Sequence, residues 1–422
     1  MKVLVVGTGK MGYGVAWDLV HNAVVTQVGL LDLRQESLDV ARQKLVSALE
    51  ESEHAEMIEK LVLHRADVTN IPELAPLMAQ YDVGVLTLGN RRCSYKAIEA
   101  AIEAGLDVVD ILEEYHRRPD TDEIEGLEVP AGMTLDDYGD YLHARALERG
   151  VLILDGMGFA PGLSNVTTGA GIRRLDKAET AVARVGGIPS KEIANHHPLR
   201  YVITWAFSHV LREYMVKVKV RKGGEVVEVD ATTEQERFAF NQLGQHEELV
   251  CAITPGMPSF IYSRPDLQEF AEKTVRWPGH WDGVRTLKEC GLLDLDPVAF
   301  KGQQIVPREF LNTLLTPRLQ PQNGEADDVC VMWNSVTGIK DGQSARVDYY
   351  MWEGADLWHG NTAMARVTAF PAAIAAVMVG QGMIPEKGIV PPEDAIFGER
   401  YRHFLAELLK RDITVLEVVT AG

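Results

Sequence analysis

The run Gly7-Thr8-Gly9-Lys10-Met11-Gly12 constrains this chain more than any other feature, because it follows an all-apolar strand and opens a helix. Val3–Val6 reads as that strand and Met11–Asn22 as that helix. The first glycine permits a tight turn, the second removes a side chain that would block a diphosphate, and the third lets helix and strand pack closely. The helix N-terminus then offers free N–H groups and partial positive charge to an anion. Asp32 follows 20 residues after Gly12, at the end of a second apolar strand, Val28–Leu31, where an adenosine ribose belongs. A carboxylate there accepts from the ribose hydroxyls and repels a 2′-phosphate, so NAD is expected ahead of NADP. Arg34, two residues on, is the cation that would favour NADP instead. FAD and S-adenosylmethionine are the rival ligands for the same fold.

Strand and helix signals go on alternating to about residue 155. A long polar helix is expected from Gln35 to Leu61, a third strand at Arg65–Val68 and a fourth at Asp82–Leu88. A helix over Tyr95–Ala104 stops at Gly105, and Val108–Ile111 and Val151–Leu154 supply two more strands. Continuous apolar strands alternating with helices mean a parallel sheet buried on both faces, the doubly wound Rossmann arrangement. In such a sheet ligands sit beyond the C-terminal strand ends. Asp67 and Val68 are therefore expected near the adenine, Leu88, Gly89 and Asn90 near the nicotinamide, and Asp110 facing the crevice.

At 422 residues the chain needs more than one core. Its formal charge of −19, from 61 acidic against 42 basic side chains, would repel phosphate backbones and anionic lipid, which argues against nucleic acid and membrane as partners. Cys93, Cys251, Cys290 and Cys330 form no C-x-x-C pair, so no metal-ligand set is read, and a reducing cytoplasm is expected. The apolar run Val367–Val379 carries Pro371 and is too short to span a bilayer, so a buried helix is expected.

Beyond about residue 160 the pattern changes. Val216–Val220 and Glu225–Val229 flank Lys222-Gly223-Gly224, and Val329–Thr337 and Ala345–Trp352 flank a turn at Asp341-Gly342, both hairpin signals. The expected organisation is a Rossmann domain over 1–158, a second α/β domain with a largely antiparallel sheet over 159–355, and a helical return to the first domain over 356–422. The acidic stretch 112–137, with Pro119, Pro130 and Gly132, reads as an inserted loop or lid.

Several segments together resemble the saccharopine dehydrogenase family, with the lysine 6-dehydrogenases nearest in appearance. Asp155-Gly156-Met157-Gly158-Phe159-Ala160-Pro161-Gly162 resembles the family's junction between its two domains. Val185-Gly186-Gly187-Ile188-Pro189 and Thr274-Val275-Arg276-Trp277-Pro278-Gly279 are similar to its Gly-Gly-(Leu/Ile)-Pro and Thr-x-Arg-x-x-Gly elements. Thr362–Thr368 resembles the returning helix, and Asn195–Tyr201 with Thr204-Trp205 its substrate-side segment. The resemblance implies NAD(P)-linked chemistry at a carbon–nitrogen bond of an amino acid, and a homodimer or higher homo-oligomer. Oxidative deamination of lysine at its ε-amine is the leading expectation. A saccharopine or carboxyspermidine type of reductive amination is the alternative, and a catalytically silent NAD(H) sensor the alternative from another class.

Hydride leaves a carbon bearing nitrogen only when that nitrogen is uncharged, so the site must take a proton from an amine. His197, Asp110 and Glu113 are the candidate groups, in that order. A substrate carboxylate needs a fixed cation, and Arg276, Arg200 and Arg366 qualify. Tyr201 and Trp205 are placed to wall the aliphatic part of the substrate.

Overall fold

Every residue of the first strand after Lys2 is buried, so both faces of the sheet it founds must be covered. The computed structural model describes residues 1–122, 126–321, 327–356 and 359–421; residues 123–125 of the 112–137 stretch, and 357, 358 and 422 of the tail, lie outside them. Strands β1 (Lys2–Val6), β2 (Gln27–Asp32), β3 (Leu61–Arg65), β4 (Val83–Leu86), β5 (Val108–Asp110) and β6 (Leu152–Asp155) pair in parallel in the order 3-2-1-4-5-6. This is the doubly wound arrangement expected from the glycine loop.

The boundaries after β2 differ from expectation. The helix after β2 runs only over Gln35–Glu51, because Glu53 turns to φ +63° and a short 3₁₀ segment, Ala55–Lys60, follows. The third strand therefore lies four residues early, where Leu61, Val62 and Leu63 pair with β2, and not at 65–68. Asp67 lies in the turn beyond it, accepting from the Thr69 N–H and hydroxyl at 2.9 and 2.8 Å.

The second sheet is built on β7 (Lys177–Pro189). The hairpin β8 (Lys217–Lys222) and β9 (Glu225–Asp230) turns through Gly223 and Gly224, both at positive φ. Strands β10 (Glu236–Phe240), β11 (Glu247–Ile253) and β12 (Glu269–Arg276) follow, then a separate hairpin, β13 (Val298–Phe300) and β14 (Gln303–Ile305). The long hairpin β15 (Asp328–Lys340) and β16 (Gln343–Gly354) turns at Asp341-Gly342. In the sheet order β10-β11-β12-β7-β15-β16-β18, where β18 is Leu416–Ala421, only β12 and β7 run parallel.

The C-terminal stretch serves both sheets. Its helix, Ala363–Gly380, is long and apolar enough to cross a bilayer, yet it packs inside the protein. It lies so close to the helix Lys10–His21 that a Cβ on Gly14 would sit 2.8 Å from Ala369 Cβ. A further strand, β17 (Gly388–Val390), adds in parallel beside β6, whereas β18 closes the second sheet. The tail thus returns to the first domain and also clamps the second.

Candidate active site

The bend after β1 is held open by its glycines. Gly7 sits at φ +96°, a conformation that suits glycine, and a Cβ there would lie 2.8 Å from the Thr87 carbonyl oxygen. A Cβ on Gly12 would come within 2.0 Å of the Gly7 carbonyl oxygen, whereas nothing lies within 4 Å of the corresponding point on Gly9. Helix and bend therefore touch backbone to backbone at Gly12, and Gly9 presents a bare face to open space. No side chain caps the helix, and its first bond runs from the Tyr13 N–H to the Gly9 carbonyl at 2.9 Å. The preceding N–H groups are left for an anion.

Asp32 stands at the mouth of this bend. Its Oδ2 accepts from the Thr8 N–H and hydroxyl at 3.0 and 2.8 Å, and its Oδ1 from the Arg34 N–H at 3.0 Å. A groove of about 940 Å³ passes Thr8, Asp32, Arg34 and Lys44, and meets a second cavity at Gly9 and Lys10. A bare bend, an uncapped helix end and a carboxylate beside them fit a nicotinamide dinucleotide. Thr87, which sequence reasoning missed, ties the bend to β4 by donating to the Gly7 carbonyl at 2.8 Å.

The second cavity, of about 380 Å³, lies between the C-terminal ends of the parallel strands and the second sheet. Leu88, Gly89 and Glu113 line it from the first domain. From the second come Glu272, Thr274 and Arg276, which alternate along β12 and so share one face. His209 and Glu213 come from the helix Phe207–Glu213, four residues apart on one side of it. The glycine pair at the end of β7 allows close approach: a Cβ on Gly186 would meet the Val275 carbonyl oxygen at 2.4 Å, and one on Gly187 the Met364 methyl at 2.3 Å.

The cavity's charge is lopsided. Arg276 is buried and donates to the Tyr214 hydroxyl at 3.3 Å and to the carbonyls of Val275 and Gly187 at 3.0 and 3.4 Å. It forms no ion pair among the described residues, and its guanidinium lies 5.2 Å from the centre of the Tyr201 ring. Facing it are three carboxyls. Burial pushes Glu272 up to about 8 against the pull of the Thr254 hydroxyl and the Gly256 N–H. Burial, then the neighbouring Glu213, holds Glu113 well above the carboxylate range, and burial also raises Glu213. Burial, then Arg212 and Arg91, pulls His209 down to about 4, so its ring is neutral. The polar atoms of Glu113, His209 and Glu213 lie within 4.8 Å of one another.

Not every expected residue is here. His197, the first candidate base, is a correction: it sits outside the cavity, with its Nδ1 3.3 Å from the Arg318 carbonyl, because the chain leaves the sheet after Pro189 and turns outward. Arg200 is likewise exposed and bonded to Asn195 Oδ1 at 2.5 Å. Arg366 donates to the carbonyls of Gly354, Arg411 and Asp412, tying the returning helix to the tail. Asp110 ends β5 but points into the protein, accepting from the Ser94 hydroxyl at 2.5 Å and the Leu112 N–H at 2.6 Å. Asn90 caps the helix Arg91–Ala104 through the Cys93 N–H at 3.1 Å, Asp67 closes its own turn, and Val68 is buried core. Glu113, Trp205 and Arg276 do line the cavity, Tyr201 backs Arg276, and Lys10 and Met11 border it from the glycine bend.

The start of the 112–137 stretch is anchored and not a solvent excursion. Glu114 pairs with buried Arg91 at 2.8 Å, and His116 bridges Asp155 at 2.7 Å and the Ser94 hydroxyl at 2.9 Å. Farther along, Asp120 pairs with Arg212 at 2.5 Å across the domain boundary.

A parallel sheet in this order, with a dinucleotide bend opening on a buried polar cavity, defines an NAD(P)-dependent oxidoreductase. The chain belongs to the saccharopine dehydrogenase family, whose members act on CH–NH groups: the saccharopine dehydrogenase NADP binding domain matches residues 3–135 and the saccharopine dehydrogenase C-terminal domain residues 158–413. It is similar to carboxyaminopropylagmatine dehydrogenase of Synechocystis sp., 24% identical over 417 residues, which are 93% of this chain and 92% of that protein. It is also 24% identical over 161 residues to the saccharopine dehydrogenase [NADP(+), L-glutamate-forming] of Schizosaccharomyces pombe, covering 36% of this chain and 35% of that one. Its fold matches apo saccharopine dehydrogenase (L-Glu forming) from Saccharomyces cerevisiae over 100% of both chains, with a TM-score of 0.75 at 19% identity.

Proposed function

We propose that this chain catalyses the reversible, NAD(P)-linked oxidation of a carbon–nitrogen bond in an N-substituted amino acid to an imine that water opens, and so splits it into an amine and an amino-acid aldehyde, or joins the two with loss of that water. The observation that carries this reading is the cavity itself. At the nicotinamide end of the crevice, it brings a buried arginine that forms no ion pair among the described residues together with carboxyls held above their ordinary range. The two enzymes named above act on carboxyaminopropylagmatine and saccharopine, which favours this type of reaction over deamination of free lysine.

A nicotinamide dinucleotide held by the Gly7–Gly12 bend and Asp32 would supply the hydride acceptor or donor beside this cavity. Arg276 holds the substrate carboxylate with its planar two-donor fork. Glu113, which burial and Glu213 keep protonated, gives its proton to the substrate nitrogen as the amine forms and takes it back in the oxidising direction. Trp205 and Met364 cover the aliphatic chain. Asp32 favours NAD, while Arg34 and Lys44 offer cations to a 2′-phosphate along the same groove.

The test is consumption of NADH and NADPH in the presence of amino-acid aldehydes paired with a panel of amines. Arg276→Met is expected to raise KM for the carboxylate-bearing partner roughly 10- to 100-fold, the worth of a charged hydrogen bond, without altering NADH affinity. If no pair consumes either cofactor, the proposal is wrong.

A further inference from the structure

The groove that passes Thr8 and Asp32 is not built by the first domain alone. Asp32, Arg34 and Lys44 line it together with His359, Gly360 and Thr362 of the returning tail. Asp356 fixes this stretch of tail from both ends. Its N–H donates to the Asn361 carbonyl at 2.8 Å, its carbonyl accepts from the Asn361 N–H at 2.9 Å, and its carboxylate holds His359 Nδ1 at 2.6 Å. The Tyr13 hydroxyl, from the first turn of the helix Lys10–His21, fastens the stretch by donating to the His359 carbonyl at 2.9 Å.

One side chain is left over. Asn361 is 0% exposed, yet neither its Oδ1 nor its Nδ2 has a hydrogen-bond partner among the described residues. It stands against the helix that opens at the glycine bend. A Cβ on Gly14, one turn beyond Lys10 on the same face, would lie 3.5 Å from Asn361 Oδ1. Gly9 and Lys10 line the groove, and so do Gly360 and Thr362 on either side of Asn361. Leaving both ends of a buried amide unmatched is costly, and the backbone of this stretch is already paired with Asp356. An orphan amide beside a groove points to a ligand that matches it.

We propose that Asn361 belongs to the cofactor site: its amide pairs with the diphosphate and adjoining ribose of a nicotinamide dinucleotide, so that the tail and the glycine bend grip the cofactor between them. An amide brings two N–H donors for phosphate oxygens and a carbonyl that accepts from a ribose hydroxyl. A carboxylate could only accept, and an aliphatic side chain could do neither. The stretch leads directly into the helix Ala363–Gly380, whose Met364 and Thr368 line the substrate cavity, so one piece of chain serves both cofactor and substrate. This assignment rests on the NAD(P)-linked reading above and on no particular substrate.

The test is Asn361→Leu in the full-length chain, read by fluorescence titration with NADH and NADPH, by calorimetry with ADP-ribose, and by thermal melting without ligand. An apolar side chain of similar shape removes the orphan, so the melting temperature should hold or rise. Affinity for all three ligands should fall roughly tenfold or more, the worth of a hydrogen bond to a charged group. Hydrogen exchange of the wild-type protein gives the answer without a variant: NADH should slow exchange over residues 359–365 as well as over the glycine bend. A lower melting temperature with unchanged affinity makes Asn361 a structural residue and overturns the proposal, as does protection confined to the first domain. If the wild-type protein binds the ligands and the variant binds them equally, the proposal alone falls; if the wild-type protein binds none of them, the NAD(P)-linked reading falls and takes the proposal with it.

Discussion

Replacing His116 by asparagine tests the anchor beneath the cavity. The imidazole is wholly buried between Asp155, 2.7 Å from its Nδ1, and the Ser94 hydroxyl, 2.9 Å from its Nε2, and that hydroxyl donates onward to Asp110 at 2.5 Å. Burial alone would discharge the ring, but Asp155 and then Asp110 outweigh it and raise His116 to about 9. Because the folded value lies above the unfolded one of 6.5, the stabilisation is complete below pH 6.5 and is lost as pH rises through 9. A shift of that size is on the order of 3 kcal/mol. Removing one partner of a buried pair typically costs about 3–5 kcal/mol. Urea unfolding of the variant at pH 6 should therefore fall below wild type by roughly that amount, and the gap should shrink toward pH 10. Glu272, an acid raised to about 8, also erodes stability as pH climbs from 4.5 through 8. It does so in both proteins, so the difference isolates His116. A gap under about 1 kcal/mol at pH 6, or one that stays constant with pH, would refute the charged-bridge account.

Three further outcomes follow from the same geometry. Gly9→Ala should keep the wild-type melting temperature while weakening NADH and NADPH binding, because its Cβ enters the space left for the diphosphate, whereas Gly12→Ala, whose Cβ would sit 2.0 Å from the Gly7 carbonyl, should lose both. Asp32→Ser should raise the ratio of NADP to NAD affinity: like charges about 4 Å apart repel by about 1 kcal/mol in water and about 4 at an effective dielectric of 20, so a change of tenfold or more is expected by fluorescence titration. A cation entering the cavity should draw Glu272 down from about 8 and release protons. Calorimetry at pH 7 in buffers of different ionisation enthalpy measures that release, and its absence would mean that the carboxyl is already ionised.

The dinucleotide half of the site was legible in the chain because its chemistry is local. Gly7, Gly9 and Gly12 fall within one bend, and Asp32 is one strand away on a neighbour that the apolar pattern forces alongside. Even there, the errors trace to the same cause. Strand-end position points Asn90 and Asp67 at the ligand, but short polar side chains at strand ends also serve their own backbone, as the Cys93 and Thr69 N–H groups show.

The substrate half is assembled by long-range contacts, which no local pattern reports. Arg276 was found through a resemblance, yet its period-two companions Thr274 and Glu272 sit on the same face of the same strand and were available once that strand was recognised. His209 and Glu213 carry a weaker signal, four residues apart on a helix of only seven, and the pair means nothing until β12 is brought opposite. His197 misled because an adjacent histidine, proline and arginine look like a site, whereas the chain there turns outward through Leu199 and Arg200, both at positive φ. Asp110 misled in a more instructive way. A carboxylate at the end of a central parallel strand does face the crevice in general, but here Ser94 and His116 turn it inward, and the residue delivered to the cavity is Glu113, three positions on. The buried bridge and the cavity-facing acid are thus one device: the inward carboxylate and the imidazolium hold the strand end so that the next acid reaches the cavity.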